Sequence, residues 1–108
     1  MRILFDHGTP AGLARALAGH TVTTAQARGW DRLSNGDLLQ AAEADGFDLL
    51  ITTDRRIRYQ QNLTARRIAL IVLAGSTKWV RIQIHLQDIA SAVESVEPGS
   101  YREVRISF

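Results

Sequence analysis

Asp48-Leu49-Leu50-Ile51-Thr52-Thr53-Asp54 carries the reading of this chain. Three aliphatic residues run unbroken into two β-branched threonines, which is the pattern of a strand buried on both faces. Working outward, Ser34-Asn35-Gly36-Asp37 precedes it as a helix start, with Ser at the N-cap and an acid three positions on. The helix that follows turns Leu38, Leu39, Ala42 and Phe47 towards a core and stops at Gly46. On the other side, a basic segment from Arg55 to Arg67 leads into Ile68-Ala69-Leu70-Ile71-Val72-Leu73, a second buried strand.

The outer parts repeat the alternation. Arg2-Ile3-Leu4-Phe5 is a short apolar strand closed by Asp6-His7-Gly8-Thr9-Pro10, a dense turn signal. Thr9 at the N-cap and Pro10 at the first helical position predict a helix to Ala18, carrying Leu13, Ala14 and Leu17 inward. Thr21-Val22-Thr23-Thr24 reads as a strand, and residues 27–33, with Gly29 and Trp30, as a loop. After Gly75, the spacing of Ile82, Leu86, Ile89, Val93 and Val96 predicts one long helix from Trp79 to Val96, closed by Pro98-Gly99. In the tail Val104, Ile106 and Phe108 alternate with Glu103, Arg105 and Ser107, the pattern of a half-exposed edge strand. Strand and helix therefore alternate along the chain, which predicts an α/β fold with a mostly parallel sheet and helices on both faces.

Composition bounds the rest. The chain has 108 residues, 45% hydrophobic and 22% charged, which suits a single domain spanning 1–108 with one core. No apolar run approaches the roughly 20 residues a membrane-spanning helix needs. The opening residues do not read as a signal peptide, so the expected location is cytoplasmic with no membrane partner. With no cysteine, disulfides, thiolate metal sites and cysteine nucleophiles are excluded. The net charge is only +2, and Lys78 is the lone lysine among 13 basic residues. Arginine's planar fork matches phosphate oxygens, so the composition permits a nucleic-acid partner without demanding one.

In open parallel sheets, ligands bind beyond the carboxyl ends of the strands, where strand order reverses. Two strands finish there on aspartate, at Asp6 and Asp54. If those strands are neighbours the carboxylates converge, and two like charges about 4 Å apart repel by roughly 4 kcal/mol at an effective dielectric near 20. A shared proton or a cation must offset that, and oxygen-only ligands suit Mg²⁺ or Mn²⁺. The plainer alternative is that Asp54 caps the segment at Arg55 and Asp6 braces the Gly8-Thr9 turn. Asp37 is the natural third acid, or merely the capping partner of Ser34; Asn35 can orient a ligand or shape the turn. Arg55, Arg56, Arg58 and Tyr59 give a phosphate-bearing nucleic-acid strand positive charge and a stacking ring beside the carboxylates, or form a solvated face. His7 can ligate a metal or simply sit in a turn. His20 and His85 read as structural, and Asp31, Asp45 and Asp48 as surface acids. Neither a G-x-S-x-G elbow nor a phosphate-binding glycine loop is present.

Ile3-Leu4-Phe5-Asp6-His7-Gly8-Thr9-Pro10 resembles the opening of compact PIN-like domains. Ser34-Asn35-Gly36-Asp37-Leu38-Leu39 and Leu50-Ile51-Thr52-Thr53-Asp54-Arg55 resemble that family's second and third acidic motifs. Arg58-Tyr59-Gln60-Gln61-Asn62-Leu63 is similar to a segment of one of its bacterial subgroups. The resemblance implies a three-layer α/β/α sandwich and an acidic pocket holding Mg²⁺ or Mn²⁺ on Asp6, Asp37 and Asp54. It also implies metal-dependent cleavage of single-stranded RNA, in many relatives as the toxin of a toxin–antitoxin pair silenced by a small antitoxin protein. His7 stands where relatives often carry a second acid, so weaker metal binding is expected. The rival expectation is a PIN-like module that has lost catalysis and binds a small partner protein, or forms a homodimer, through the helix around Trp79 to Val96. A receiver-like phosphoacceptor at Asp54 fits less well, because the chain lacks the paired acid and the placed lysine that chemistry uses.

Overall fold

The computed structural model describes residues 1–60 and 65–108, with Tyr59 and Gln60 described in the main chain only. Five strands form one sheet: β1 (Arg2–Phe5), β2 (Thr21–Thr24), β3 (Leu49–Thr52), β4 (Ala69–Gly75) and β5 (Tyr101–Ile106), in spatial order β2-β1-β3-β4-β5. Every neighbouring pair is parallel. Parallel pairing is forced by the helical crossovers between successive strands, each of which returns the chain to the same end of the sheet.

The strands alternate their side chains between two apolar layers. Four α-helices, α1 (Asn35–Ala44), α2 (Ile57–Gln60), α3 (Trp79–Ile82) and α4 (Leu86–Ser95), are present among the described residues. Ile3, Phe5, Leu49, Ile51, Ile71 and Leu73 belong to one layer, covered by a 3₁₀ helix (Ala11–Leu17) and by α3 and α4. Leu4, Leu50, Leu70 and Val72 belong to the other, covered by Leu38, Leu39 and Ala42 of α1 and Ile57 of α2. The architecture is a three-layer α/β/α sandwich. All four residues of β3 are buried, which explains the unbroken apolar run; each buried aliphatic side chain contributes about 1.5–3 kcal/mol.

The sequence pattern and the structure part in three places. The expected helix from Pro10 to Ala18 is a 3₁₀ helix, and Thr9 does not cap it. The Thr9 hydroxyl is instead spent across the sheet, donating to the Ile51 carbonyl at 2.9 Å. The long helix expected from Trp79 to Val96 is broken by a 3₁₀ turn at Gln83–His85. There the His85 ring reaches the tail, its Nε2 accepting the Ser107 N–H at 3.1 Å. Finally, the strand ends at Ile106, and Phe108, expected beside Val104 and Ile106 on the buried face, is 84% exposed. Among the described residues no helix is long and apolar enough to cross a membrane.

Candidate functional site

Strand order reverses between β1 and β3, since the chain leaves β1 for β2 on one side and reaches β3 on the other. In this 2-1-3-4-5 order the crevice beyond the carboxyl ends of β1 and β3 is where ligands lodge. Asp6 follows β1 and Asp54 lies two residues beyond β3. The strands pair Phe5 with Ile51, so Asp6 stands level with Thr52, and the Asp6 N–H donates to the Ile51 carbonyl at 3.0 Å.

Thr52 joins the two acids. Its side chain is fully buried, and a buried hydroxyl must be satisfied. It donates to Asp6 Oδ2 at 2.5 Å and accepts the Asp54 N–H at 3.0 Å. The turn after β1 is held close: a Cβ on Gly8 would stand 2.6 Å from Thr53 Oγ1, so a larger residue there must turn the Thr53 side chain aside. Asp6 Oδ1 also accepts the His7 N–H at 2.6 Å, and the His7 ring sits 3.3 Å from the same oxygen. The backbone bond that closes the turn comes from the Asp6 carbonyl, which accepts the Thr9 N–H at 2.9 Å. The Asp6 side chain thus holds the start of the turn at His7, while the bond at Thr9 belongs to its main chain.

Asp54 is more heavily engaged. Arg56 meets it with a forked ion pair, Nε to Oδ1 and a terminal nitrogen to Oδ2, both at 3.1 Å, and the Arg56 N–H donates to Oδ1 at 2.9 Å. Asn35, in the first turn of α1, donates to Oδ2 at 3.2 Å. These contacts, Arg56 foremost, outweigh partial burial and lower the Asp54 pKa to about 2. Asp54 is therefore ionised at neutral pH. It does serve its turn, as the plainer reading expects, but its chief partner is a side chain 76% exposed, and such pairs are weak and easily exchanged.

The other candidates are distributed unevenly. Asn35 joins the site. Asp37 is exposed and its N–H donates to Ser34 Oγ at 3.3 Å, as the capping pattern requires. It lies roughly 200° around the helix from Asn35, so the structure does not bring it to the two aspartates. The arginines diverge. Arg56 is on Asp54, Arg55 lines a separate cleft of ≈ 540 Å³ with Gly75, Glu103 and Phe108, and the Arg58 guanidinium lies 5.2 Å from the centre of the Tyr101 ring. The Tyr59 side chain, and Gln61, Asn62 and Leu63 of the resembling segment, lie outside the described residues. Among the described residues no group of three or more His, Cys, Asp or Glu is arranged to hold a metal. Asp6 and Asp54 offer oxygen donors of the kind a hard cation takes, each already engaged by hydrogen bonds within the chain.

Thr52 is the site residue that sequence reading passes over. The available signal is a hydroxyl ending an otherwise aliphatic buried strand, since such a group needs a polar partner. Compared with protein-family models, curated proteins and solved structures, the chain matches none.

Proposed function

We propose that the Asp6–Thr52–Asp54 edge is a divalent-metal site at which a PIN-like ribonuclease cleaves single-stranded RNA, as the toxin-like member of a pair with a small antitoxin protein. One observation carries this reading: two aspartates end adjacent parallel strands at the reversal of strand order and are tied through one buried threonine. Asp6 and Asp54 would hold Mg²⁺ or Mn²⁺, which when bound supplies an acidified water and charge neutralisation at the phosphate. The chain's own residues do the rest. Thr52 fixes the rotamer of Asp6, Asn35 fixes that of Asp54, and the low pKa of Asp54 keeps it charged without a cation. Arg56 leaves Asp54 for the RNA phosphate, exchanging one anion for another with its fork intact. Asp37 stays outside this arrangement; two carboxylates bind the metal weakly and leave more of its coordination to water and substrate.

The test is cleavage of labelled single-stranded RNA in Mn²⁺, with EDTA and Asp6→Asn protein beside it. Cleavage that needs both the metal and Asp6 supports the reading; folded wild-type protein that leaves RNA intact sinks it. A second reading, a non-catalytic module for a small partner protein, is favoured by Val80 and Ile84. They stand one helical turn apart in sequence and are each 63% exposed, a pair of apolar contacts with no duty in the core.

A further inference from the structure

β5 is an edge of the sheet, and among the described residues no strand pairs with its outward side. Its even-numbered residues turn their main-chain groups to β4: Leu70 N–H donates to the Ser100 carbonyl and Ser76 N–H to that of Ile106. In a parallel pair such residues alternate along the strand, and with Leu70 level with Tyr101 the N–H and C=O groups of Glu103 and Arg105 point away from the sheet. At Ser107 the outward N–H is taken by His85. At Glu103 and Arg105 a groove of ≈ 500 Å³ runs between the strand and His85, Asp88 and Ser91 beside it, so α4 does not close the edge. Native edges are normally covered, shortened or charged against pairing. This one carries charge of both signs, Glu103 and Arg105, on one face.

We propose that β5 pairs antiparallel with β5 of a second copy of this chain, about a two-fold axis at Val104. The register follows from hydrogen bonding and charge. Outward-facing residues must meet outward-facing residues, so odd positions pair with odd positions. An axis at Glu103 sets two glutamates face to face, and an axis at Arg105 sets two arginines face to face; like charges directly opposite are destabilising. An axis at Val104 sets Glu103 opposite the partner's Arg105 and Arg105 opposite the partner's Glu103. Both pairs then exchange N–H···O=C bonds, and the two sheets become one. The side chains are ready for it. Glu103 accepts the Tyr101 hydroxyl at 2.8 Å through one oxygen, which leaves the other, and among the described residues Arg105 has no ion-pair partner.

The inference is independent of the ribonuclease reading, since it uses neither aspartate. Sedimentation equilibrium of the wild type is expected to show mass rising towards twice the monomer value with concentration. Glu103→Arg and Arg105→Glu should each weaken association about tenfold or more, because both pairs across the axis become repulsive. The double variant E103R/R105E should recover it, and an equimolar mixture of the two single variants should form a heterodimer. Both positions are exposed, and far-UV circular dichroism is the check that each variant is folded. A wild type that stays monomeric at its solubility limit would show that these charges protect the edge instead. Dimers that survive both single swaps, or a double swap that fails to recover, would overturn the register.

Discussion

The two ends of the parallel sheet use their acids differently. At the amino end, Asp48 accepts the Arg2 N–H at 2.8 Å, and Glu43 accepts the N–H groups of Arg67 and Ile68 at 2.7 and 3.0 Å. Asp45 pairs with both Arg2 and Arg28, whose guanidinium groups lie over Phe47. These carboxylates satisfy the main chain where strands begin and fasten cations onto aromatic rings. At the carboxyl end, Asp6 and Asp54 hold a threonine hydroxyl, their own turns and a solvent-exposed arginine. Acids at the amino end hold strand-entry main chain and arginines packed on rings, while at the carboxyl end Asp54 has an arginine exposed to solvent as its chief partner. Charge alone does not separate the two classes; the partner does.

The sharpest way to break this contrast is Asp6→Asn. Asparagine keeps an oxygen for Thr52 but loses the charge, so RNA cleavage should vanish while Tm stays at or above the wild-type value. A variant that unfolds would move Asp6 into the structural class. Next comes Glu43→Gln. The main-chain N–H of Ile68, then that of Arg67, holds the Glu43 pKa below its ordinary value, and hydrogen bonds to a charged group contribute about 1.5–3 kcal/mol. Its partial exposure places the loss at about 1–2 kcal/mol, read as a Tm lower by several degrees with cleavage per folded molecule unchanged. Arg56→Ala should raise Mn²⁺ affinity by up to about fivefold, as expected for removing a weak exposed competitor; isothermal titration that shows weaker binding would make Arg56 part of the site.

The smallest effect concerns acid. The folded pKa of Asp54 is depressed to about 2, so the unfolded chain takes up a proton first as pH falls. The stabilisation is complete above the ordinary carboxylate pKa near 4 and is lost as pH drops through about 2. Discounted for the exposure of Arg56, it amounts to about 1 kcal/mol. Denaturant titrations from pH 5 to pH 2 should show a shallower loss of stability in Asp54→Asn than in the wild type. Equal slopes would mean that the Arg56 pair exerts no hold on Asp54 in solution.

Much of this was legible beforehand because parallel sheets write themselves plainly. Strands buried on both faces need apolar runs, and Leu49 to Ile51 and Leu70 to Leu73 show them; the Ser34 cap could be read from spacing alone. What escaped was decided by contacts distant in sequence. Thr9 looked like a cap until its hydroxyl found Ile51, 42 positions on. A periodic stripe gave one helix from Trp79 to Val96, but periodicity is blind to a histidine reaching Ser107. Asp37 could be placed near the sheet edge by counting residues, yet its direction depended on which face of α1 meets the sheet. The arginines near Asp54 formed one patch in sequence and three destinations in space.

The Ile51 carbonyl receives two donors, the Asp6 N–H and the Thr9 hydroxyl. Because Ile51 is wholly buried in the middle of the sheet, the backbone that carries Asp6 cannot loosen unless β3 separates from β1. In amide hydrogen exchange, Asp6 should therefore behave as a core residue and not as a loop residue, opening only with the molecule as a whole. Its carboxylate is held in position before any ligand arrives, so little conformational entropy remains to be lost on binding.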